Sequence, residues 1–165
     1  MNKIDYEIYA DSSFNQTIST AGLAIVALES GIVKSILIEV VKVNCATEAE
    51  CKAVDAAIKL GFATNKKAFR VLSDCKSAID ALNGVIMFRK PHLKDATEKI
   101  AKLTEWGEID VQYKWIPRHK NKAHEFARAA IVSKAETFGL IGIEKNIYQY
   151  MAAKEKSMIA DINNN

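Results

Sequence analysis

The first hydrophobic pattern in the chain alternates with a period of two residues. In KIDYEIYA, residues 3–10, the apolar side chains fall on one face: Ile4, Tyr6, Ile8 and Ala10. Such alternation predicts a half-buried strand, and Asp11 would end it on the polar face. Residues 20–31 and 33–44 predict two more strands, joined by a turn at Ser30-Gly31. The first 44 residues therefore predict a three-stranded antiparallel meander.

The period then changes to that of a helix. From Thr47 onward, helical spacing connects Ala53, Val54, Ala57, Ile58 and Leu60. Residues 68–74 predict a fourth strand and 109–116 a fifth, with two helices between them: a stripe of Cys75, Ala78, Ile79 and Leu82, then a helix opened by Pro91. A last helix is predicted from Asn121 to near Gly139.

This order of elements predicts an α/β fold, in which a mixed five-stranded sheet is flanked by helices. Residues 1–137 are expected to form that domain. Residues 138–165 are expected to be a C-terminal extension that adds a helix, since an amphipathic pattern runs from 144 to 162.

Composition restricts the class of protein without naming it. The 165 residues are 49% hydrophobic and 26% charged, which is typical of a globular domain large enough to need no disulfide. Because no apolar run reaches a membrane span of ~20 residues and no signal peptide is recognisable, we expect a cytoplasmic protein without a membrane segment. The three cysteines have no CxxC spacing and are expected to be reduced.

Charge is distributed unevenly along the chain. Residues 1–50 carry three basic and seven acidic residues, whereas residues 51–165 carry 20 basic and 13 acidic ones. That asymmetry would suit a protein that gathers carboxylates at one point and binds a polyanion around them through its basic residues. On charge alone, however, the interpretation as an ordinary solvated surface is favoured.

Three carboxylates stand at predicted element boundaries. Asp11 follows the first strand, Asp74 follows the fourth, and Glu50 begins the inward face of the helix after Thr47. Each has a purely structural interpretation: a turn residue for Asp11, a helix N-cap for Asp74, and a capping box between Glu50 and Thr47. Together, the three carboxylates would repel one another without a cation, so their convergence would indicate a Mg²⁺ or Mn²⁺ site.

Four motifs in this order resemble the ribonuclease H family, type-1 branch. They are YADSS, ATEAECKAV, RVLSDCKSAI and WIPRHKNKAHEFARAA, and the similarity covers residues 4 to about 131. Each motif alone is weak, but four in register are more specific. The resemblance implies the same sheet as the hydrophobic pattern, in a compact form without the separate basic handle helix of longer members.

The resemblance also implies a set of catalytic metal ligands. The family's carboxylates fall on Asp11, Glu50 and Asp74, with Glu48 as the competing choice for the second. His124 occupies the position at which the family usually has its last aspartate. Imidazole binds Mn²⁺ more readily than Mg²⁺, so the second metal site is expected to differ in strength. The alternative is that His124 is an ordinary helix residue near its N-cap, Asn121.

By the same resemblance, the protein would be an endonuclease that cleaves the RNA strand of RNA/DNA hybrids with two Mg²⁺ or Mn²⁺ ions and leaves 5′-phosphate ends. His119 matches a loop histidine thought to assist proton transfer or product release. We expect no small-molecule cofactor and a monomer. The residues expected to contact the hybrid are Ser12, Ser13, Asn15, Asn44, Thr47, Arg118, Lys120, Asn121 and Lys122, with Lys114, Arg89 and Lys90 as further cations.

Three other interpretations remain open from the sequence. A catalytically weak or inactive module that binds hybrid or structured RNA is favoured by His124. A proofreading-type exonuclease would need D-x-E on the first strand, where this chain has Asp11-Ser12-Ser13. A zinc site made of Cys45, Cys51, His119 and His124 would need its cysteines on a strand end and inside a helix, which is unfavourable.

Overall fold

A computed structural model describes residues 4–139, with the side chains of residues 4–132. Its five strands are Tyr6–Asn15 (β1), Thr20–Glu29 (β2), Ile32–Lys42 (β3), Ala68–Ser73 (β4) and Asp110–Trp115 (β5). They form one sheet in the order β3-β2-β1-β4-β5. The meander β1-β2-β3 is antiparallel, and β4 and β5 join it in parallel. The mixed five-stranded sheet predicted from the sequence is therefore confirmed.

Four helices cover the two faces of this sheet. They are Ala46–Ala63 (α1), Lys76–Leu82 (α2), Pro91–Trp106 (α3) and His124–Gly139 (α4). α1 packs against β1 and β2 and also against α3, whereas α4 lies on the other face against the same two strands. No helix among residues 4–139 is long and apolar enough to cross a bilayer.

β1 differs from the predicted strand in length and in burial. It does not end at Asp11 but continues to Asn15, because residues 11–15 pair without interruption with residues 24–20 of β2. The face predicted to be polar is also covered, since Tyr9 packs in a second core cluster with Phe126 of α4. An alternating hydrophobic pattern identifies the polar face of a strand. It does not show whether that face is exposed to solvent or covered by a helix that makes only a few apolar contacts with it.

α4 approaches the sheet closely at Gly22 of β2. A Cβ atom there would stand 2.6 Å from the carbonyl oxygen of Ala127 and 2.8 Å from the Ala130 Cβ, so glycine is required by the packing. This close contact determines how near the first residue of α4, His124, lies to β1. The predicted helix within 144–162 and the proposed extension 138–165 fall largely outside the described residues.

Candidate active site

Asp11 is a buried carboxylate in the middle of the sheet. Its exposure is 1%, and it lies on the central strand β1, opposite Ala24 of β2. Burial, and then the charge of Asp74, raise the pKa of Asp11 to about 6, although a hydrogen bond from His124 acts in the opposite direction. A carboxylate in such a place destabilises the fold unless a cation or a donor compensates it.

Glu50 extends from the first turns of α1 towards the same point. Its Oε2 is buried, and no hydrogen-bond partner for it is present among the described residues. Burial and the charge of Asp11, with a further contribution from Asp74, raise the pKa of Glu50 to about 8. A hydrogen bond with Ser12 and the charge of Arg118 act in the opposite direction. Glu50 therefore faces both aspartates.

Asp74 directly follows β4, next to β1 in the sheet. The Asn121 side chain donates to its Oδ1 over 2.9 Å, and Arg118 Nε lies 3.6 Å from its Oδ2. The indole N–H of Trp115 also donates to the backbone oxygen of Asp74, over 3.1 Å. Asp74 is thus oriented by residues that precede α4, and no sequence pattern indicates this role for Trp115.

His124, the first residue of α4, contacts Asp11 from the face of the sheet opposite to α1. Its Nδ1 lies within hydrogen-bonding distance of Asp11 Oδ2, at 2.7 Å, and its side chain is 17% exposed. His124 therefore interacts directly with Asp11, and both of its predicted roles, metal ligand and structural helix residue, stay predictions. We call Asp11, Glu50 and Asp74 the acid pocket.

The purely structural interpretations of the three carboxylates are all wrong. Asp11 is inside a strand rather than a turn. α1 has Cys45 at its N-cap, so Thr47 lies within the helix and cannot form a capping box with Glu50. α2 likewise has Cys75 rather than Asp74 at its N-cap. Burial and mutual repulsion at the acid pocket consequently have no explanation in capping or turn formation.

The acid pocket fits a divalent cation by the chemistry of its donors. Oxygen ligands that repel one another, one of them buried and without a partner, are what Mg²⁺ or Mn²⁺ would neutralise. Two oxygens would first have to change partners, since His124 occupies Asp11 Oδ2 and Asn121 occupies Asp74 Oδ1. Among the described residues, three ligand atoms lie within 4.8 Å of one another only at Cys45, Glu48 and His92.

Cations stand beside the pocket on residues 118–122, RHKNK, which we call the basic loop. Arg118, His119 and Lys120 form one exposed turn of 3₁₀ helix. The Lys122 ammonium lies 5.8 Å from the centre of the Tyr9 ring and is only partly exposed. Negative and positive groups therefore adjoin beside β1 and the end of β4, which is an arrangement suited to a polyanion.

Asn121 differs from Arg118 and Lys120, which are exposed in the same basic loop. It is buried, and its amide donates to the Ala10 carbonyl oxygen over 3.0 Å as well as to Asp74. Its Oδ1 accepts the backbone N–H of Ala123 over 3.2 Å. Since each of these bonds would have to break before a ligand could be reached, we assign Asn121 to positioning β1, Asp74 and the start of α4.

The remaining predicted contacts lie around the pocket with different exposure. Ser12 is buried against Glu50, Ser13 and Asn15 are half-buried, and Asn15 accepts from the backbone N–H of Thr17. Asn44 is exposed and Thr47 is half-buried at the start of α1. The structure does not bring the alternative zinc ligands together: Cys45 lies near His92, whereas His124 lies against Asp11.

The family comparison agrees with this fold. The model of the family described as reverse transcriptase-like matches residues 9–130. The protein therefore has a ribonuclease H-like fold, and the chain belongs to the reverse transcriptase-like family, as a ribonuclease H family member. No curated protein matches the chain significantly.

Solved structures support the fold. The N-terminal RNase H domain of a Mycobacterium tuberculosis protein is similar at a TM-score of 0.75 and 19% identity, over 83% of this chain and all of that one. RNase H1 of Halobacterium salinarum is similar at a TM-score of 0.72 and 19% identity, over 77% of this chain and 97% of that one. LC11-RNase H1, solved in complex with an RNA/DNA hybrid, is similar at a TM-score of 0.72 and 23% identity, over 79% of this chain and 99% of that one. At these identities the likeness establishes the fold.

Proposed function

We propose that this protein is an endonuclease that hydrolyses the RNA strand of RNA/DNA hybrids and leaves 5′-phosphate ends. The observation that carries the proposal is the acid pocket, in which Glu50 Oε2 is buried without a partner beside Asp11 and near Asp74. A protein would lose stability by keeping such a group unless a bound cation used it. A solved relative of the same fold was bound to such a hybrid.

Four residues are proposed to hold Mg²⁺ or Mn²⁺: Asp11, Glu50, Asp74 and His124. Bound divalent ions would supply an activated water and would stabilise charge on the leaving 3′ oxygen. Asn121 and Trp115 orient Asp74, and Ser12 orients Glu50. The exposed His119 is proposed to exchange protons with solvent near the scissile phosphate, as a loop residue free to move between substrate and water.

Substrate would be held by the basic loop and by the start of α1. Arg118 lies against Asp74, with most of its side chain in solvent, so a phosphate at the pocket would meet it directly. Lys120 and Lys122 extend this positive edge. Discrimination for RNA needs donors and acceptors for 2′-hydroxyls across the minor groove, and Ser13, Asn15, Asn44 and Thr47 are proposed for that role.

A second candidate is a binding module that recognises hybrid or structured RNA but cleaves it weakly. The observation in its favour is the 2.7 Å contact between His124 and Asp11, because this bond occupies a carboxylate oxygen that a metal would need. Under that interpretation the acid pocket would be stabilised by His124 rather than by a cation. We propose a cytoplasmic monomer without an organic cofactor under either candidate.

A cleavage assay on matched substrates tests the proposal. The full chain is incubated with end-labelled RNA/DNA hybrid, double-stranded RNA and single-stranded RNA of one sequence, with Mg²⁺ or Mn²⁺. Cleavage confined to the RNA of the hybrid is the expected result. Binding of hybrid without cleavage at any metal concentration would support the binding module, and cleavage of single-stranded RNA alone would contradict both candidates.

A further inference from the structure

A second group of potential metal ligands lies outside the acid pocket. Cys45, Glu48 and His92 bring a thiol, a carboxylate and an imidazole together so that their ligand atoms all lie within 4.8 Å of one another. Cys45 immediately precedes α1, Glu48 lies in its first turn, and His92 is the second residue of α3. The group therefore bridges the N-terminal ends of two helices that pack together.

The distances in this group approach those of a tetrahedral zinc site. Zinc binds cysteine sulfur at about 2.3 Å and histidine nitrogen at about 2.0 Å, so two such ligands stand roughly 3.5 Å apart. Cys45 Sγ and His92 Nε2 are 4.0 Å apart. An adjustment of about half an ångström, well within reach of an exposed histidine side chain, would bring both atoms into the first coordination shell.

Neither end of the pair is needed elsewhere in the local structure. Cys45 is the N-cap residue of α1, but its side chain makes no capping hydrogen bond. Pro91 stands at the first position of α3, and the N-cap there is Lys90. The thiol and the imidazole can therefore bind an ion without loss of helix capping.

Glu48 is oriented as carboxylate ligands commonly are. The backbone N–H and the side-chain amide of Asn44 both donate to its Oε2, each over 2.9 Å. Such outer hydrogen bonds fix the direction of a ligand. Lys52 competes for the same carboxylate, with its Nζ 3.8 Å from Oε1, but this ammonium is partly exposed and can turn towards solvent.

We propose that Cys45, Glu48 and His92 form a binding site for a zinc-like transition-metal ion, separate from the acid pocket. Thiolate and imidazole select borderline-soft ions such as Zn²⁺ or Co²⁺ over Mg²⁺. Three protein ligands leave a fourth position for water. Glu48 and His92 line a cleft of about 560 Å³, which gives an ion and its water access from solvent. The ion would tie α1 to α3.

Cobalt absorption tests this site without reference to activity. Co²⁺ is titrated into the full-length reduced protein in the presence of excess Mg²⁺, which occupies hard carboxylate sites. We expect a thiolate-to-cobalt charge-transfer band that saturates at one equivalent and disappears when Zn²⁺ is added. The absence of any such band overturns the proposal.

Matched variants show which thiol is bound. Cys45→Ser should abolish the band, whereas Cys75→Ser, at the other half-buried cysteine, should leave it unchanged. His92→Ala removes an exposed ring and should weaken Co²⁺ binding by at least ~100-fold, since even outer-shell changes cost about 10–100-fold. A band that survives Cys45→Ser, or binding that is unaltered in His92→Ala, contradicts the proposal. Unchanged thermal unfolding of metal-free variants establishes that they fold.

Discussion

The acid pocket and the basic loop lie side by side but differ in the solvent exposure of their charged side chains. Asp11 is 1% exposed, and among the described residues Glu50 has a buried oxygen without a partner, so burial and mutual repulsion raise the pKa of both carboxylates. Arg118 and Lys120 of the basic loop are exposed. A buried charge responds strongly to a change of protonation or metal, whereas an exposed charge is screened by salt. We therefore expect the pocket to determine turnover and the loop to determine affinity.

The largest effect is expected from Asp11→Asn. Cleavage of hybrid should fall by at least ~1000-fold, since the variant loses a buried ligand on which the pocket depends. Folding should be retained, because the carboxylate that is removed is one whose pKa is raised by burial. Cleavage rates, hybrid affinity and thermal unfolding are measured together, with Asp55→Asn, a surface carboxylate paired with Lys59, as the control. Wild-type turnover by folded Asp11→Asn protein would contradict the metal site.

Asn121→Ala should remove the hydrogen bond that connects the basic loop to Asp74 of the acid pocket. It removes the donor to the Ala10 carbonyl and to Asp74 and the acceptor for Ala123 N–H, so buried groups lose their partners. We expect a loss of about 2–4 kcal/mol in the free energy of unfolding. Denaturant unfolding measures this loss, with Gln16→Ala, a substitution at an exposed position, as the control. If Asn121→Ala is as stable as wild type and loses only hybrid binding, Asn121 is a nucleic-acid contact after all.

His124 stands where pocket and loop meet, and its variants test metal preference. The wild type should prefer Mn²⁺ over Mg²⁺, and His124→Asp should raise Mg²⁺-supported activity relative to Mn²⁺ because it restores a hard oxygen ligand. His124→Ala should lower both by about 10–100-fold, more than His119→Ala does. Cleavage is measured against metal concentration for all four proteins. Coincident curves for wild type, His124→Asp and His124→Ala would remove His124 from the metal site.

Neutralising the basic loop should mainly lower the affinity for hybrid, with a smaller effect on the acid pocket through the contact between Arg118 and Asp74. The variant Arg118→Gln, Lys120→Gln, Lys122→Gln is expected to weaken hybrid binding regardless of sequence and to flatten its salt dependence by ~0.9 for each lost phosphate contact. Binding is measured at several salt concentrations. The matched control neutralises Lys34, Lys59 and Lys94, three exposed lysines remote from the loop in sequence. An unchanged salt slope would place the nucleic acid on another surface.

The smallest effect concerns the pH dependence of stability. The pKa of Glu50 is raised to about 8, so between pH 5 and 8 the folded protein binds a proton that the unfolded chain has released. Stability of the metal-free wild type should therefore fall as pH rises through that window. Glu50→Gln cannot ionise and should gain on the order of 1–3 kcal/mol relative to wild type from pH 5 to pH 9. Urea unfolding in EDTA measures this difference; parallel pH profiles would show that Glu50 is not electrostatically stressed.

The five strands and four of the helices could be predicted from the sequence because each has its own local periodicity. The alternation of Ile4, Tyr6 and Ile8 and the stripe of Ala53, Val54 and Ala57 both describe faces that short segments carry by themselves. Element ends agree to within a few residues, as for the predicted strand 68–74 and the observed Ala68–Ser73. Only β1 was substantially too short, since its last residues are held by pairing with β2.

The residues of the acid pocket could be predicted from the sequence, but their burial and their contacts could not. The motif resemblance implies Asp11, Glu50 and Asp74. Both the match to the family motif and the inward-facing stripe of α1 favour Glu50 over Glu48. Only the packing of α1 turns Glu50 towards Asp11 and leaves Glu48, two residues away, with Asn44 and near His92. Similarly, Asn121 was predicted as a contact residue but is buried. Burial, partner choice and the meeting of Cys45 with His92 depend on distances between segments far apart in sequence, which no local pattern records.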